Sequence, residues 1–361
     1  MGSTWGKRLK ISIYGESHGP AIGVVIDGLP SGVPIDEAML AKEMQRRAPG
    51  TQAGSTPRKE PDLPTILSGI YQGKTTGTPL AVEILNTNQH SSDYDGFVTT
   101  PRPGHADYTS RMRYKMYNDP RGSGHFSGRL TAPVLFAGAV AKQVLAAKTG
   151  TEVYGHIIRI GKISANSWEE EETPLIPVEG AFPQENESLA ARMKEEIDAA
   201  RAEADSVGGI VEVMATGLPG GIGSPMWDTV ESSFAQLAFG IPAVKGVSFG
   251  SGFTVAERRG SLNNDHLAFQ EEKLRMTTNH GGGFEGGISN GMPVLAQVAF
   301  KPTPSIAREQ DTVDLEKKEN VKIEIPGRHD ACIVPRALPV VEGCLALALL
   351  DCLMGKGEYG V

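Results

Sequence analysis

Hydrophobic and polar positions recur along this chain with two clear periods. Ile11 to Tyr14 and Ala21 to Ile26 alternate as half-buried strands do. The turn Gly28-Leu29-Pro30-Ser31-Gly32 follows, and Ile35-Asp36 starts a helix, with Asp36 as N-cap and Ile35 stapled to Leu40. That helix ends at Arg46-Arg47-Ala48-Pro49-Gly50, where the two cations either complement the negative helix end or face a ligand. Residues 51 to 62 read as a polar, turn-rich loop. Ile66 to Tyr71 and Leu80 to Leu85 alternate as strands. Leu130 to Ala147 is apolar on nearly all sides, the mark of a core helix. After an acidic excursion from Trp168 to Glu187, Leu189 to Ala204 reads as an amphipathic helix. Strands follow at Ile210 to Met214, Gly246 to Val255 and Pro293 to Phe300, with helices at Asp228 to Phe239 and Leu338 to Met354.

The pattern also repeats. Val24 to Ile26 with Gly28-Leu29-Pro30 matches Val211 to Met214 with Gly217-Leu218-Pro219, and a helix follows each. Gly73-x-x-x-Gly77-x-Pro79 matches Gly287-x-x-x-Gly291-x-Pro293, each before a strand. Pro103-Gly104-His105-Ala106-Asp107 echoes Pro326-Gly327-Arg328-His329-Asp330, each before a long apolar helix. One domain over 1–361 with two pseudo-symmetric halves, about 1–150 and 206–361, is expected. Short Gly/Pro turns between strands predict antiparallel sheets with helices outside, an α+β layered fold. No Gly-x-Gly-x-x-Gly turn with a downstream acid marks a dinucleotide fold.

Composition narrows the function. The 361 residues carry a net charge of −8, which argues against a nucleic-acid surface. Cys332, Cys344 and Cys352 read as buried reduced thiols, and His/Cys spacing offers no metal site. No apolar signal core opens the chain, and no apolar run approaches the ~18 residues that span a bilayer, so no membrane role and a cytoplasmic location are expected.

The candidate chemistry gathers between Arg102 and Arg129, where Gly-rich turns run into the first core helix. His18 and His105 stand in Gly-flanked turns, and histidine titrates where proton transfer at neutral pH needs it. Asp330 stands beside a cation and His329 as a candidate base. Arg46, Arg47, Arg102, Arg111, Arg113, Arg121, Arg129 and Arg328 lie beside turns in separate loops, which in an acidic protein implies an anion pocket.

Several of these segments, in order, resemble signatures of the chorismate synthase family: Gly15-Glu16-Ser17-His18-Gly19, Arg102-Pro103-Gly104-His105-Ala106-Asp107, Asn279-His280 with its glycines, Gly286-Gly287-Ile288-Ser289, Lys301-Pro302-Thr303 and Gly327-Arg328-His329-Asp330. The resemblance covers nearly the whole chain. It implies a carbon–oxygen lyase that eliminates phosphate and the C6 proton from 5-enolpyruvylshikimate 3-phosphate, giving chorismate for aromatic amino-acid biosynthesis. Reduced FMN is the implied cofactor, reduced by NADPH or by an external flavin reductase. A homotetramer is implied. His18 would protonate the departing phosphate, His105 would keep the flavin's protonation state, and Asp330 would act as base. Ser17, His18, Arg47, Arg102, Arg129 and Arg328 would hold the substrate. Arg47, His125, Phe126, Ser127, Pro242, Ala243, Gly286, Lys301, Pro302, Thr303, Pro304, Ser305 and Arg328 would meet the flavin.

The chain departs from the family pattern at His125-Phe126 (usually Arg-Ser or Arg-Ala), at Pro242 (usually Asn), at Pro304 (usually Ser), at Ala331 (usually Pro) and at Ala53 (often Arg). Weaker recognition of the FMN phosphate is expected. Two other readings share the same pocket: a flavoprotein oxidoreductase and a non-catalytic phosphometabolite-binding protein.

Overall fold

The computed structural model describes residues 2–50, 62–87, 96–169, 180, 182–270, 272–325 and 329–355. The first part of the chain forms β1 (Thr4–Trp5), β2 (Lys10–Gly15), β3 (Ala21–Asp27), α1 (Glu37–Arg47), β4 (Pro64–Ile66), β5 (Ile70–Tyr71), β6 (Lys74–Thr75), β7 (Leu80–Leu85), α2 (Asp107–Tyr114) and α3 (Thr131–Thr149). Next come β8 (Glu152–Ile160), β9 (Ile163–Ser164), α4 (Glu187–Ala202), β10 (Gly209–Thr216), α5 (Val230–Gly240), β11 (Val244–Phe249) and α6 (Gly260–Asn263). The chain continues through β12 (Leu267–Gln270), β13 (Lys273–Met276), β14 (Phe284–Glu285), β15 (Ile288–Ser289), β16 (Val294–Phe300), β17 (Gln310–Asp314), β18 (Glu319–Ile323) and α7 (Val334–Gly355).

Two five-stranded antiparallel sheets dominate, ordered β1-β2-β3-β7-β4 and β9-β8-β10-β16-β11. Position by position the two orders correspond. In each, the central strand, β3 or β10, pairs with a strand reached after a helix, β7 after α1 and β16 after α5, and each unit closes with a long apolar helix, α3 or α7. The second sheet begins at Glu152, ahead of the turn repeats that start near residue 206.

The α+β class and the antiparallel pairing agree with the sequence pattern, and the layers run sheet, helices, sheet. Helix α3 packs on β2, β3 and β7, α7 packs on β8 and β10, and the two helices pack on each other. The helices are therefore the filling and not the outside. The physical reason is their own composition, since a helix apolar all round needs apolar neighbours on every side. The helical stretch Gly128–Thr149 and α7 are in fact long and apolar enough to cross a membrane, which corrects the expectation that no run comes near that length; 72% and 89% of their most apolar windows are buried inside the protein. At their crossing Gly138 meets Gly343, and a Cβ on Gly138 would lie 2.2 Å from the Gly343 Cα.

Alternation sets the sheet faces. Ile22, Val24, Ile26, Leu80, Val82 and Ile84 are all buried at the helix side of the first sheet. In the second, Val211, Val213, Val294, Ala296 and Val298 join the main core, while Met214 and Leu295 pack with Trp168 in a separate cluster. Asp36 caps α1 as expected, its carboxylate accepting from the Ala38 and Met39 amides at 2.8 and 3.2 Å. Burial pushes the thiols of Cys332 and Cys344 up to about 12 and that of Cys352 to about 11, and all three are free.

Candidate active site

A cavity of about 670 Å³ opens where four helix ends meet. The C-terminal end of α1 brings Arg47, the N-terminal end of α3 brings Arg129 and Thr131, the C-terminal end of α5 leads to Pro242 and Ala243, and the start of α7 brings Arg336. Loops complete the wall with Ser17, His105, the run from His125 to Gly128, Lys301, Thr303 to Ser305, and Asp330, and the start of β11 adds Lys245. Both sequence halves thus face one space.

The anion side is built on a carboxylate that the sequence reading passed over. Asp62 accepts from Arg47 Nη1 at 2.6 Å and from Arg129 Nη1, bridging the two guanidinium groups. All three residues are buried. Burial alone would raise the Asp62 carboxyl, but Arg47 and Arg129 outweigh it and hold the group below the usual carboxylate range. Arg47 also donates to Thr131 Oγ1 at 2.9 Å and to the Gly128 carbonyl at 3.0 Å, while Arg129 Nε donates to Asn86 Oδ1 at 2.6 Å. These bonds fix both guanidinium groups at the wall.

His105 is oriented by a second overlooked carboxylate. Its Nδ1 lies 2.7 Å from Asp107 Oδ1, which assigns the proton to Nδ1, and its Nε2 lies 3.4 Å from Ser123 Oγ. Burial would raise the Asp107 carboxyl, yet the bonds from Arg102 and His105 drive it far below its ordinary value. Arg102 itself is buried behind the wall. It donates to Asp107 Oδ2 at 2.8 Å and to Ser123 Oγ at 2.8 Å, and its guanidinium lies over the Phe97 ring. These bonds support the histidine, and Nη1 also donates to Ser305 Oγ of the cavity wall at 3.3 Å.

The loop from Arg121 to Phe126 turns through three left-handed residues, Gly122, Ser123 and Gly124, at φ 57°, 70° and 52°. His18 is buried beneath it, and a Cβ on Gly122 would lie 2.2 Å from the His18 ring. Glycine is required there so that the loop can close over the imidazole. His125 is held from both sides, by the Gly15 carbonyl at Nδ1 and Ser3 Oγ at Nε2, each 2.9 Å away. Phe126 packs edge-on against Tyr114.

On the opposite wall, Lys301 Nζ donates to the Gly104 carbonyl at 3.1 Å. Burial, and then the nearby Lys245, lower the Lys301 ammonium below its usual value. Asp330 Oδ2 accepts from Arg336 Nη1 at 2.6 Å. Ala243 adopts φ 75°, a left-handed conformation that ordinarily favours glycine, and its carbonyl accepts from the Lys301 amide at 3.0 Å.

The cavity thus gathers most of the residues expected from sequence. Gly286 is not among them, because it forms the turn of the β14–β15 hairpin. Pro302 is next to the wall without lining it, and His18 and Arg102 lie behind it. Arg328 and Ala53 lie outside the described residues. Asp62, Asp107, Lys245 and Arg336 are the additions. Asp107 could have been found from its spacing, since it stands two residues past His105 at a helix start.

The sequence matches the family model described as chorismate synthase over residues 9–354. A chorismate synthase from Pyrococcus abyssi is 49% identical, with 97% of each chain covered. One from Thermococcus kodakarensis is 47% identical, with 98% of each chain covered. A solved structure described as the crystal structure of chorismate synthase superposes with a TM-score of 0.75 at 29% identity, covering 98% of this chain and 93% of that one.

Proposed function

The chain belongs to the chorismate synthase family, and from that premise we propose that it forms chorismate by 1,4-elimination of phosphate and the C6 proton from 5-enolpyruvylshikimate 3-phosphate, with reduced FMN as cofactor. The observation that carries this reading is the convergence of Arg47, Arg129, Arg336, Lys245 and Lys301 with His105 and Asp330 on one cavity. A phosphorylated dicarboxylate needs several guanidinium and ammonium groups, and a cavity of about 670 Å³ suits small molecules of this class. Phe126, Phe239, Ile241 and Ile333 offer apolar wall beside those cations, which fits a planar ring carrying a phosphate tail.

Reduced FMN, when bound, supplies transient electron donation that helps the phosphate leave. His125 to Ser127, Pro242, Ala243 and Lys301 to Ser305 would hold it, with Arg328 as a further contact. Ser17, Arg47, Arg129 and Arg328 bind and orient the substrate in this reading, and Arg102 acts from behind the wall by holding Asp107 and Ser123 against His105. His18 gives a proton to the departing phosphate. His105, fixed by Asp107 through Nδ1, moves a proton at Nε2. Asp330 takes the C6 proton.

The proposal includes a homotetramer, a cytoplasmic location, and NADPH or an external flavin reductase as the source of reducing equivalents. Exposed Trp227, Phe253 and Phe269 support association between copies. The matching strand orders support a single domain of two pseudo-symmetric halves.

Anaerobic incubation with 5-enolpyruvylshikimate 3-phosphate and dithionite-reduced FMN should produce chorismate absorbance with no net use of reductant. Absence of chorismate under those conditions would sink the reading.

A further inference from the structure

Arg336 joins the two chemically distinct sides of the cavity. Its Nη1 donates to Asp330 Oδ2 at 2.6 Å, and its Nε donates to the backbone carbonyl of Arg47 at 3.1 Å. The side chains of the pair are only 17% and 16% exposed. Arg336 stands in the first turn of α7, where its amide donates to the Ile333 carbonyl, so its backbone is fixed by the helix start. One guanidinium thus ties the beginning of α7 to the end of α1. Through Arg47 it continues to Asp62 and Arg129, and its charge reaches Asp62 as well.

Among the described residues, Arg336 is a cation hydrogen-bonded to Asp330. Cys332 and His329 flank it along the chain, and Thr303 Oγ1 donates to its backbone carbonyl at 2.7 Å. His105, Lys245, Lys301 and Arg47 share the cavity wall.

We propose that Arg336 is a positioning residue for this active site: it aims the Asp330 carboxylate at the cavity through the same guanidinium that ties the start of α7 to the end of α1. The proposal rests on the reading of Asp330 as proton acceptor. It uses the guanidinium fork, because Nε and Nη1 serve two acceptors at once, and a lysine can supply the charge but not both bonds.

The test compares Arg336→Met, Arg336→Lys and Asp330→Asn in two measurements. In the flavin-free protein, the infrared difference between wild type and Asp330→Asn isolates the Asp330 carboxylate band. Loss of its bond from Nη1 should displace that stretch in Arg336→Met. In turnover, Arg336→Met and Arg336→Lys should each lower kcat roughly a hundredfold with little change in KM, and Arg336→Met should add no further loss in an Asp330→Asn background. An undisplaced band in Arg336→Met, or a full further loss in the double variant, overturns the proposal. If Arg336→Met does not fold, wild-type kcat in Arg336→Lys does so instead. Full turnover in Asp330→Asn together with a displaced band defeats the proton-acceptor reading and leaves the positioning of the pair intact.

Discussion

The ends of α1 and α5 occupy corresponding places in the two halves and share a backbone path. Each closes with an i→i−3 bond into the cap, from the Ala48 amide to Gln45 and from the Ile241 amide to Ala238. Each continues through a proline into a left-handed residue, Gly50 at φ 86° and Ala243 at φ 75°. Their side chains differ. The first reads Arg46-Arg47-Ala48-Pro49-Gly50 and the second Phe239-Gly240-Ile241-Pro242-Ala243. One end delivers the Arg47 cation to the cavity and the other delivers apolar wall. A duplicated scaffold thus gives one shared space with two chemically opposite sides, as an anionic substrate beside a planar ring requires. The proline at 242 also gains a reason, since it copies Pro49.

The largest way to break this comparison is to unbalance the arginine side. Asp62→Asn leaves Arg47 and Arg129 buried without their shared counter-charge, and it should cost about 3–5 kcal/mol of stability at pH 7. Because the folded-state Asp62 carboxyl is depressed, its stabilisation is complete above the unfolded value of about 3.9 and is lost as pH falls through the folded one. The gap in denaturant midpoint between wild type and variant should therefore narrow in strong acid. A gap constant down to pH 2 would contradict the ion-pair account.

Next comes the contact that holds the halves together. Gly138→Ala places a methyl group 2.2 Å from the Gly343 backbone, where only separation of α3 from α7 relieves it. About 3 kcal/mol should be lost, read from thermal or urea unfolding. A variant as stable as wild type would show that the crossing is loose.

Arg47→Gly then copies Gly240 into the first half. It removes one guanidinium from the anion side while Arg129 keeps Asp62. A loss of about a hundredfold in kcat/KM, about 2.7 kcal/mol, should appear mainly as a raised KM. An unchanged KM would place the substrate's anions elsewhere in the cavity.

Much of this was legible before the structure, for identifiable reasons. The helix cap at Asp36, strands β2, β3 and β7 of the first sheet and the apolar helices announce themselves by residue type and period, whereas the expected strand Ile66 to Tyr71 divides into the end of β4 and β5, which lie in different sheets. Strand β8 did not. It carries Gly155 and His156, and both of its faces are covered, so the two-residue period disappears. The layer order was implicit in two helices apolar all round, yet turn lengths alone suggested the reverse. In the site, residue type marked His18 and Arg102 but could not give their depth. Asp62 carried no signal, because its role depends on two guanidinium groups distant in sequence. Arg336, six residues past Asp330, resembles any basic residue near a helix start until its two acceptors are seen.

The smallest effect sharpens the comparison from the other half. Ala243 holds the left-handed conformation that Gly50 occupies in the first half. A residue with a Cβ in that region is strained by about 1–2 kcal/mol, whereas glycine there is unstrained but loses more freedom on folding, about 0.4–1 kcal/mol. Ala243→Gly should therefore stabilise the protein by less than about 1 kcal/mol, a small rise in Tm. The carbonyl of residue 243 anchors the Lys301 amide at 3.0 Å, so the cavity wall should keep its shape and turnover should be unchanged. A fall in Tm would mean that the Ala243 methyl group packs into the wall strongly enough to outweigh its strain. The second half would then have gained a side-chain contact at the place where the first half kept only backbone.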